Sequence, residues 1–118
     1  MLLSLSLITL TLFTFTHCEI PWVAHSKDQN WWNHHNALLN QTEAHREDIQ
    51  VVFLGDSITF GWLNYGKDLW NKYYKPLHAY NYGIGGDRTE NVIFRIENKE
   101  FDGIKPKAVV LMIGMSSQ

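Results

Sequence analysis

Val51-Val52-Phe53-Leu54-Gly55-Asp56-Ser57-Ile58-Thr59 carries two signals in nine residues. From Ile49 to Leu54 only Gln50 is polar, and the run closes at Gly55. A short, nearly continuous apolar run ending in glycine is the pattern of a strand buried on both faces of a parallel sheet. The residues after Gly55 read as a turn entering a helix. Ser57 would then stand exposed at the C-terminal end of a buried strand. A helix N-terminus there favours developing negative charge, and a serine so placed suits nucleophilic chemistry. A plainer reading stays open: Asp56 or Ser57 caps the helix, with Asp56 ordering the turn through backbone N–H groups.

Two more strands on the C-terminal side have the same form. Residues 78–82 lead into Gly83-Ile84-Gly85-Gly86, and residues 108–113 (Ala-Val-Val-Leu-Met-Ile) end at Gly114. Helical stretches are expected over residues 31–48, with Trp32, Ala37, Leu38 and Leu39 as its apolar positions. Others fall at 57–65, at 67–74 until Pro76 breaks the run, and at 89–97 with Val92, Ile93 and Ile96 on one face. Helix and strand alternate, which means an α/β fold layered on a parallel sheet. Each strand runs into a glycine-containing loop at its C-terminal end, the edge where open parallel sheets bind ligands. The third strand is as apolar as the others, and the chain stops four residues beyond Gly114. Such a sheet leaves an outer strand uncovered, and bare apolar edges pair with other chains. The expectation is a domain cut short after about three strands and prone to self-association.

The second motif is Asn81-Tyr82-Gly83-Ile84-Gly85-Gly86-Asp87-Arg88-Thr89. Its glycines let backbone N–H groups come close to a ligand. A dinucleotide-binding loop fails on spacing, because the third glycine would fall at Arg88. Asp87 and Arg88 read as the solvated start of a helix.

The 118 residues allow one domain at most. With a net charge of -2 there is no basic excess to recruit nucleic acid. Residues 2–15 are apolar, uncharged and too few to span a bilayer. Followed by Thr16-His17-Cys18 and Glu19, they have the form of a secretory signal peptide cleaved after Cys18. An uncleaved anchor is the alternative. A secreted mature domain over 19–118, with no stable membrane span, is expected. Cys18 is the single cysteine, so that domain has no disulfide, and a metal site would need His and carboxylates. His34 and His35 are adjacent on a helix and point apart, so they and His45 read as packing or surface residues. No metal and no cofactor are expected. Asn40-Gln41-Thr42 is a glycosylation sequon. Trp62 and Trp70 either line an acyl pocket or pack in the core.

Gly55-Asp56-Ser57 after a strand, Gly86 in Gly85-Gly86-Asp87-Arg88-Thr89, and a strand ending at Gly114 together resemble the first three blocks of the SGNH (GDSL) hydrolases. Within that family the chain is similar to the catalytic subunits of intracellular-type platelet-activating factor acetylhydrolase. Trp32, His34-His35, Pro76-Leu77-His78-Ala79, the segment 81–87 and Ile104-Lys105-Pro106-Lys107 carry that similarity, over residues 28–114. The resemblance implies a three-layer α/β/α, flavodoxin-like sheet and a small acyl ester of a lipid or sugar as substrate. It implies Ser57 as nucleophile and the N–H groups of Ser57 and Gly86 as oxyanion donors, supported by the Gly55-Asp56 turn. The family's Asn donor falls at Ser116, whose hydroxyl is shorter, and its Asp-x-x-His base has no counterpart in the sequence. His78 is no substitute: it begins the strand whose far end faces Ser57, about five residues at ~3.3 Å each away. The family's relatives include cytosolic enzymes, from which an apolar leader departs. Two other products fit parts of the sequence: a non-catalytic truncated isoform, and, more weakly, a carbohydrate-binding module using Trp31 and Trp32.

Overall fold

The computed structural model describes residues 20–115. The expected signal peptide, with Cys18, and the Ser116 position lie outside them. Helix α1 spans Gln29–His45 and begins at Asp28, whose carboxylate accepts the Trp31 N–H at 3.0 Å. Strands β1 (Val51–Gly55), β2 (Ala79–Gly83) and β3 (Ala108–Met112) form one parallel sheet in the order β2-β1-β3. Gly55 pairs with Gly83 on one side and with Met112 on the other, so the three C-terminal ends lie level.

Alternation along β1 sorts the core into two layers. Val52 and Leu54 pack with Ile49, Tyr82 and Val92, against Leu38 of α1 and Phe101. Phe53 points the other way, onto Trp70 and Ala79, with Trp62 and Tyr74 beside them. The chain steps from β1 outward to β2, then back across β1 to β3. Right-handed crossovers in opposite directions place their helices on opposite faces. Hence α4 (Thr89–Glu97) joins α1 on one face, and the β1–β2 connection fills the other. The layered α/β fold expected from the sequence is the one observed.

Several local expectations need correction. The helix after Ser57 is a single turn, α2 (Ser57–Phe60), followed by a 3-10 turn at Gly61–Leu63. The next stretch is α3 (Lys67–Leu69) running into a π turn at Trp70–Tyr74. Pro76 does not break the chain out of helix but sits in a further 3-10 turn, Lys75–Leu77. The π turn lets Trp70 and Tyr74 both meet the Phe53 ring edge-on, at centroid distances of 4.9 and 5.0 Å. Wider helical turns of this kind arise where side-chain packing outweighs regular hydrogen bonding.

In α1 the buried residues are Trp31, His35 and Thr42; Leu38 and Leu39 are half-buried and Ala37 is exposed. In α4 they are Glu90, Asn91, Val92 and Arg95, while Ile96 faces solvent. Both helices turn polar groups inward because the two meet over a buried charge cluster. The third strand, apolar like a buried one but expected to be left uncovered at the edge of a short sheet, is exposed along its whole length, Val109 and Leu111 to 56% and 58%. Among the described residues it pairs with β1 alone and forms the sheet edge. No helix among the described residues is long and apolar enough to cross a membrane.

At the N-terminal edge of the sheet, Asp48 accepts a hydrogen bond from Tyr80 Oη at 2.6 Å and lies 2.6 Å from His78 Nδ1. His78 itself adopts a left-handed conformation, φ 54°. Burial and the Asp48 hydrogen bond push the Tyr80 phenol up to about 12. Its native value is raised, so its contribution to stability is complete below the ordinary phenol range and is lost as pH climbs toward about 12. Ultraviolet titration should show a late-ionising tyrosine that Tyr80→Phe removes and Asp48→Asn brings earlier.

Gly83 admits no side chain. A Cβ there would lie 2.2 Å from the Phe60 backbone nitrogen and 2.7 Å from its Cα. Gly83→Ala should cost about 1–3 kcal/mol, as overpacking against backbone does, in chemical denaturation. Gly85→Ala, where nothing lies within 4 Å of the added Cβ, should cost far less.

Candidate active site

The segment after β1 makes a sharp elbow. Asp56 is fully buried and its carboxylate accepts the Ile58 N–H at 2.9 Å, while Phe60 N–H donates to the Asp56 carbonyl at 3.0 Å. Asp56 thereby acts as the cap, and Ser57, the first helical residue, is left exposed. The cap and the nucleophile readings of this motif therefore fall on different residues and do not compete. With α2 only four residues long, what it offers a ligand is individual N–H groups rather than a macrodipole.

Close packing sets the elbow's height. A Cβ on Gly55 would lie 2.1 Å from the Met112 carbonyl oxygen and 2.3 Å from Thr59 Oγ1. The buried side chain of Asn81 ties the elbow to β2: its Nδ2 donates to the Thr59 carbonyl at 2.6 Å, and its Oδ1 accepts Gly83 N–H at 2.9 Å. The sequence displays Asn81 only as part of a motif; its role as a staple needed the structure.

Beyond β2 the chain turns at Ile84–Asp87, with Asp87 N–H donating to the Ile84 carbonyl at 3.3 Å. Gly86 holds φ 74° in the third position of that turn, a value that glycine adopts without strain. Gly85 and Gly86 are exposed. Neither the Gly86 nor the Ser57 N–H hydrogen-bonds to another group among the described residues. The Lys27 ammonium, on the segment leading into α1, donates to the Gly86 carbonyl.

Asp87 is not at a solvated helix start, as its sequence position suggests, but fully buried. Its Oδ2 accepts Arg95 Nη1 at 2.8 Å and its Oδ1 accepts Trp31 Nε1 at 2.6 Å. Burial pushes the Asp87 carboxyl above the usual range, against the pull of Arg95 and the Trp31 bond. Arg95 is fully buried too: its Nε donates to both Glu100 oxygens at 2.9 and 3.0 Å, and its Nη2 donates to the Tyr82 carbonyl at 2.6 Å. Burial works to lower its pKa, and Glu100 and Asp87 together raise it. Glu100 also meets His35 Nδ1 at 2.6 Å, and the His35 ring stacks on Trp31, centroids 5.3 Å apart. The chain of contacts closes on itself.

An open trough of about 750 Å³ borders Ser57, lined by Ile58, Trp62, Tyr65, Gly66 and Met112. Trp62 thus faces the trough with one side and Tyr74 with the other, at 5.3 Å, whereas Trp70 is a core residue. A second cleft of about 510 Å³ lies at the opposite end of β2, around Asp48, His78 and Tyr80.

The described histidines all have other neighbours. His25 contacts the Ser26 carbonyl, His34 stacks on Phe60, His35 meets Glu100, His45 lies against Tyr80, and His78 is held by Asp48. None hydrogen-bonds to Ser57 among the described residues. Nor do any three His, Cys, Asp or Glu residues there form a group suited to a metal.

The profile of the GDSL-like Lipase/Acylhydrolase family matches residues 53–116, from the middle of β1 through the end of β3. Over 90 residues the chain is 37% identical to platelet-activating factor acetylhydrolase IB subunit alpha2 of Homo sapiens and of Rattus norvegicus. It is 37% identical to subunit alpha1 of Mus musculus over the same length. These matches cover 76% of this chain but only 37–38% of each relative. With more than half of its length matched, and with an exposed serine elbow beside a glycine turn at the level C-terminal edge of a parallel sheet, the chain belongs to the GDSL-like lipase/acylhydrolase family.

Proposed function

We propose that this chain carries the nucleophile and oxyanion half of a serine ester hydrolase. The observation that supports it best is the shared sheet edge: Ser57 exposed on its elbow, and two backbone N–H groups, of Ser57 and Gly86, without a partner among the described residues at neighbouring strand ends. Ser57 Oγ would attack the ester carbonyl, forming the C–O bond of an acyl-enzyme as the alcohol leaves with a proton. Water would then release the acid. The two N–H groups would stabilise the negative charge on the carbonyl oxygen, work in which one donor is typically worth about 10²–10³ in rate. The trough beside Ser57 is mostly apolar and would hold the acyl part. The relatives' name makes an acetyl ester of a lipid the first substrate to try.

The sequence contains no Asp-x-x-His, so the proton-accepting half of the reaction has no residue assigned in it. Triads stripped of members keep roughly 10³–10⁴-fold catalysis over water from binding and the oxyanion donors. Turnover of aryl acetates by this chain should lie at that remnant level and, because the remnant comes from binding and the oxyanion donors, should change little in Ser57→Ala. A fluorophosphonate probe should mark Ser57 slowly, as mass spectrometry of the adduct would show. Labelling elsewhere, or labelling that survives Ser57→Ala, would falsify the reading.

Residues 2–15 support export, with Glu19 as the mature N-terminus; kinship with cytosolic enzymes argues against it. N-terminal sequencing of protein made in a secretory host separates the two.

The exposed β3 favours a second, non-catalytic reading in which copies of this chain pair edge to edge. Residues 108–113 are uniformly apolar and their outer backbone groups lack a strand partner among the described residues. Sedimentation should then show a dimer or larger species, and Val110→Lys should return it to monomer. A monomer with strongly protected β3 amides would rule this out.

A further inference from the structure

We propose that Arg95 and Asp87 are positioning residues for the Gly86 donor, and that the buried ring they complete sets where the oxyanion is received. The inference rests on the hydrolase reading given above and assigns roles that reading leaves empty.

Gly86 sits in an exposed turn with φ 74°, a conformation a free glycine loop would leave readily. Lys27 holds the Gly86 carbonyl from outside, and the next residue restrains the turn from within. The Asp87 carboxylate uses one oxygen for Arg95 and the other for Trp31, at 2.8 and 2.6 Å. Arg95 in turn reaches the carbonyl of Tyr82, in β2, and through its Nη1 lies 3.5 Å from the carbonyl of Gly55, the last residue of β1. One guanidinium thus references the glycine turn to the ends of both strands, including the one that delivers Ser57. A planar fork with five donors can do this; a lysine cannot. Glu100, held by His35 and by Arg95, fixes the guanidinium from behind. The ring lies beneath the turn, fully buried, and no member of it needs to touch substrate.

The geometry predicts which changes matter. Asp87→Asn keeps the size but must turn an N–H donor toward either Arg95 or Trp31, so the turn loses one of its two anchors. Trp31→Phe keeps an aromatic ring beside His35 and removes the Nε1 donor along with part of the indole's packing. Arg95→Lys keeps the charge and loses the fork.

The test combines two readouts on the full chain. The first is amide hydrogen exchange, comparing the peptide that covers residues 84–88 with one from β1. The second is the rate of Ser57 labelling by a fluorophosphonate as a function of probe concentration. In Asp87→Asn and Trp31→Phe, exchange at 84–88 should rise about tenfold with β1 unchanged, as local opening does. The maximal labelling rate should fall by up to about a hundredfold. The half-saturating probe concentration should stay the same, because the trough is untouched. Uniformly faster exchange across the sheet would overturn the proposal, since the ring would then hold only the fold. Localised exchange with an unchanged labelling rate would overturn it as well. If the unmodified chain shows no Ser57 labelling at all, the hydrolase reading fails by itself, and the exchange pattern alone decides whether the ring positions the turn.

Discussion

Two carboxylates, one guanidinium and one imidazole are buried together under the end of this sheet, and one whole face of β1 is arranged around them. Removing such charges from water is costly, and their attraction repays the cost only when every oxygen and N–H is matched. Here Trp31, Asp87, Arg95, Glu100 and His35 satisfy one another in a closed circuit, with the Tyr82 and Gly55 carbonyls taking the remaining Arg95 donors. Thr42 finishes the surround, donating to the Glu100 carbonyl at 2.6 Å beside the Tyr82 hydroxyl at 2.7 Å. The circuit draws on α1, the turn after β2, α4 and the segment after it. These are the parts that enclose one face of β1.

The opposite face is organised by shape rather than charge. Phe53 sits between Trp70 and Tyr74, and the backbone between them widens into a π turn to let both rings reach it. Trp62 continues the aromatic row to the trough beside Ser57. The elbow is thus held between a polar ring on one side and an aromatic row on the other. Gly55 and Gly83 provide the room for backbone to meet backbone between them.

Much of this architecture is legible in the sequence because it is written locally. The apolar runs of the three strands, the glycines that end them and the residues of α4 are contiguous signals, and strand bounds read from them fall within about two residues of the observed ones. The serine elbow and the glycine turn are legible for the same reason. The charge ring is not. Its members run from Trp31 to Glu100, each in a window where a charged or polar residue reads as a solvated face, so the local pattern puts Asp87 in solvent and Ile96 in the core. The exposure of β3 is invisible in its composition, because an apolar strand reads the same at a sheet's centre and at its edge, and is legible only from the small number of strands.

The partners in the ring are far apart along the chain: Trp31 bonds to a residue 56 positions later and His35 to one 65 positions later. A polypeptide emerging N-terminus first must therefore hold α1 without these partners until residues 87 and 100 have been made. Contacts of such sequence separation form late and slow the search for the native state. Until then β1 and β2 can pair but lie open on one face, the condition in which nascent α/β chains aggregate or recruit chaperones. The device that steadies the glycine turn in the finished molecule is thus also its folding checkpoint, closing only when the last of its five residues has left the ribosome.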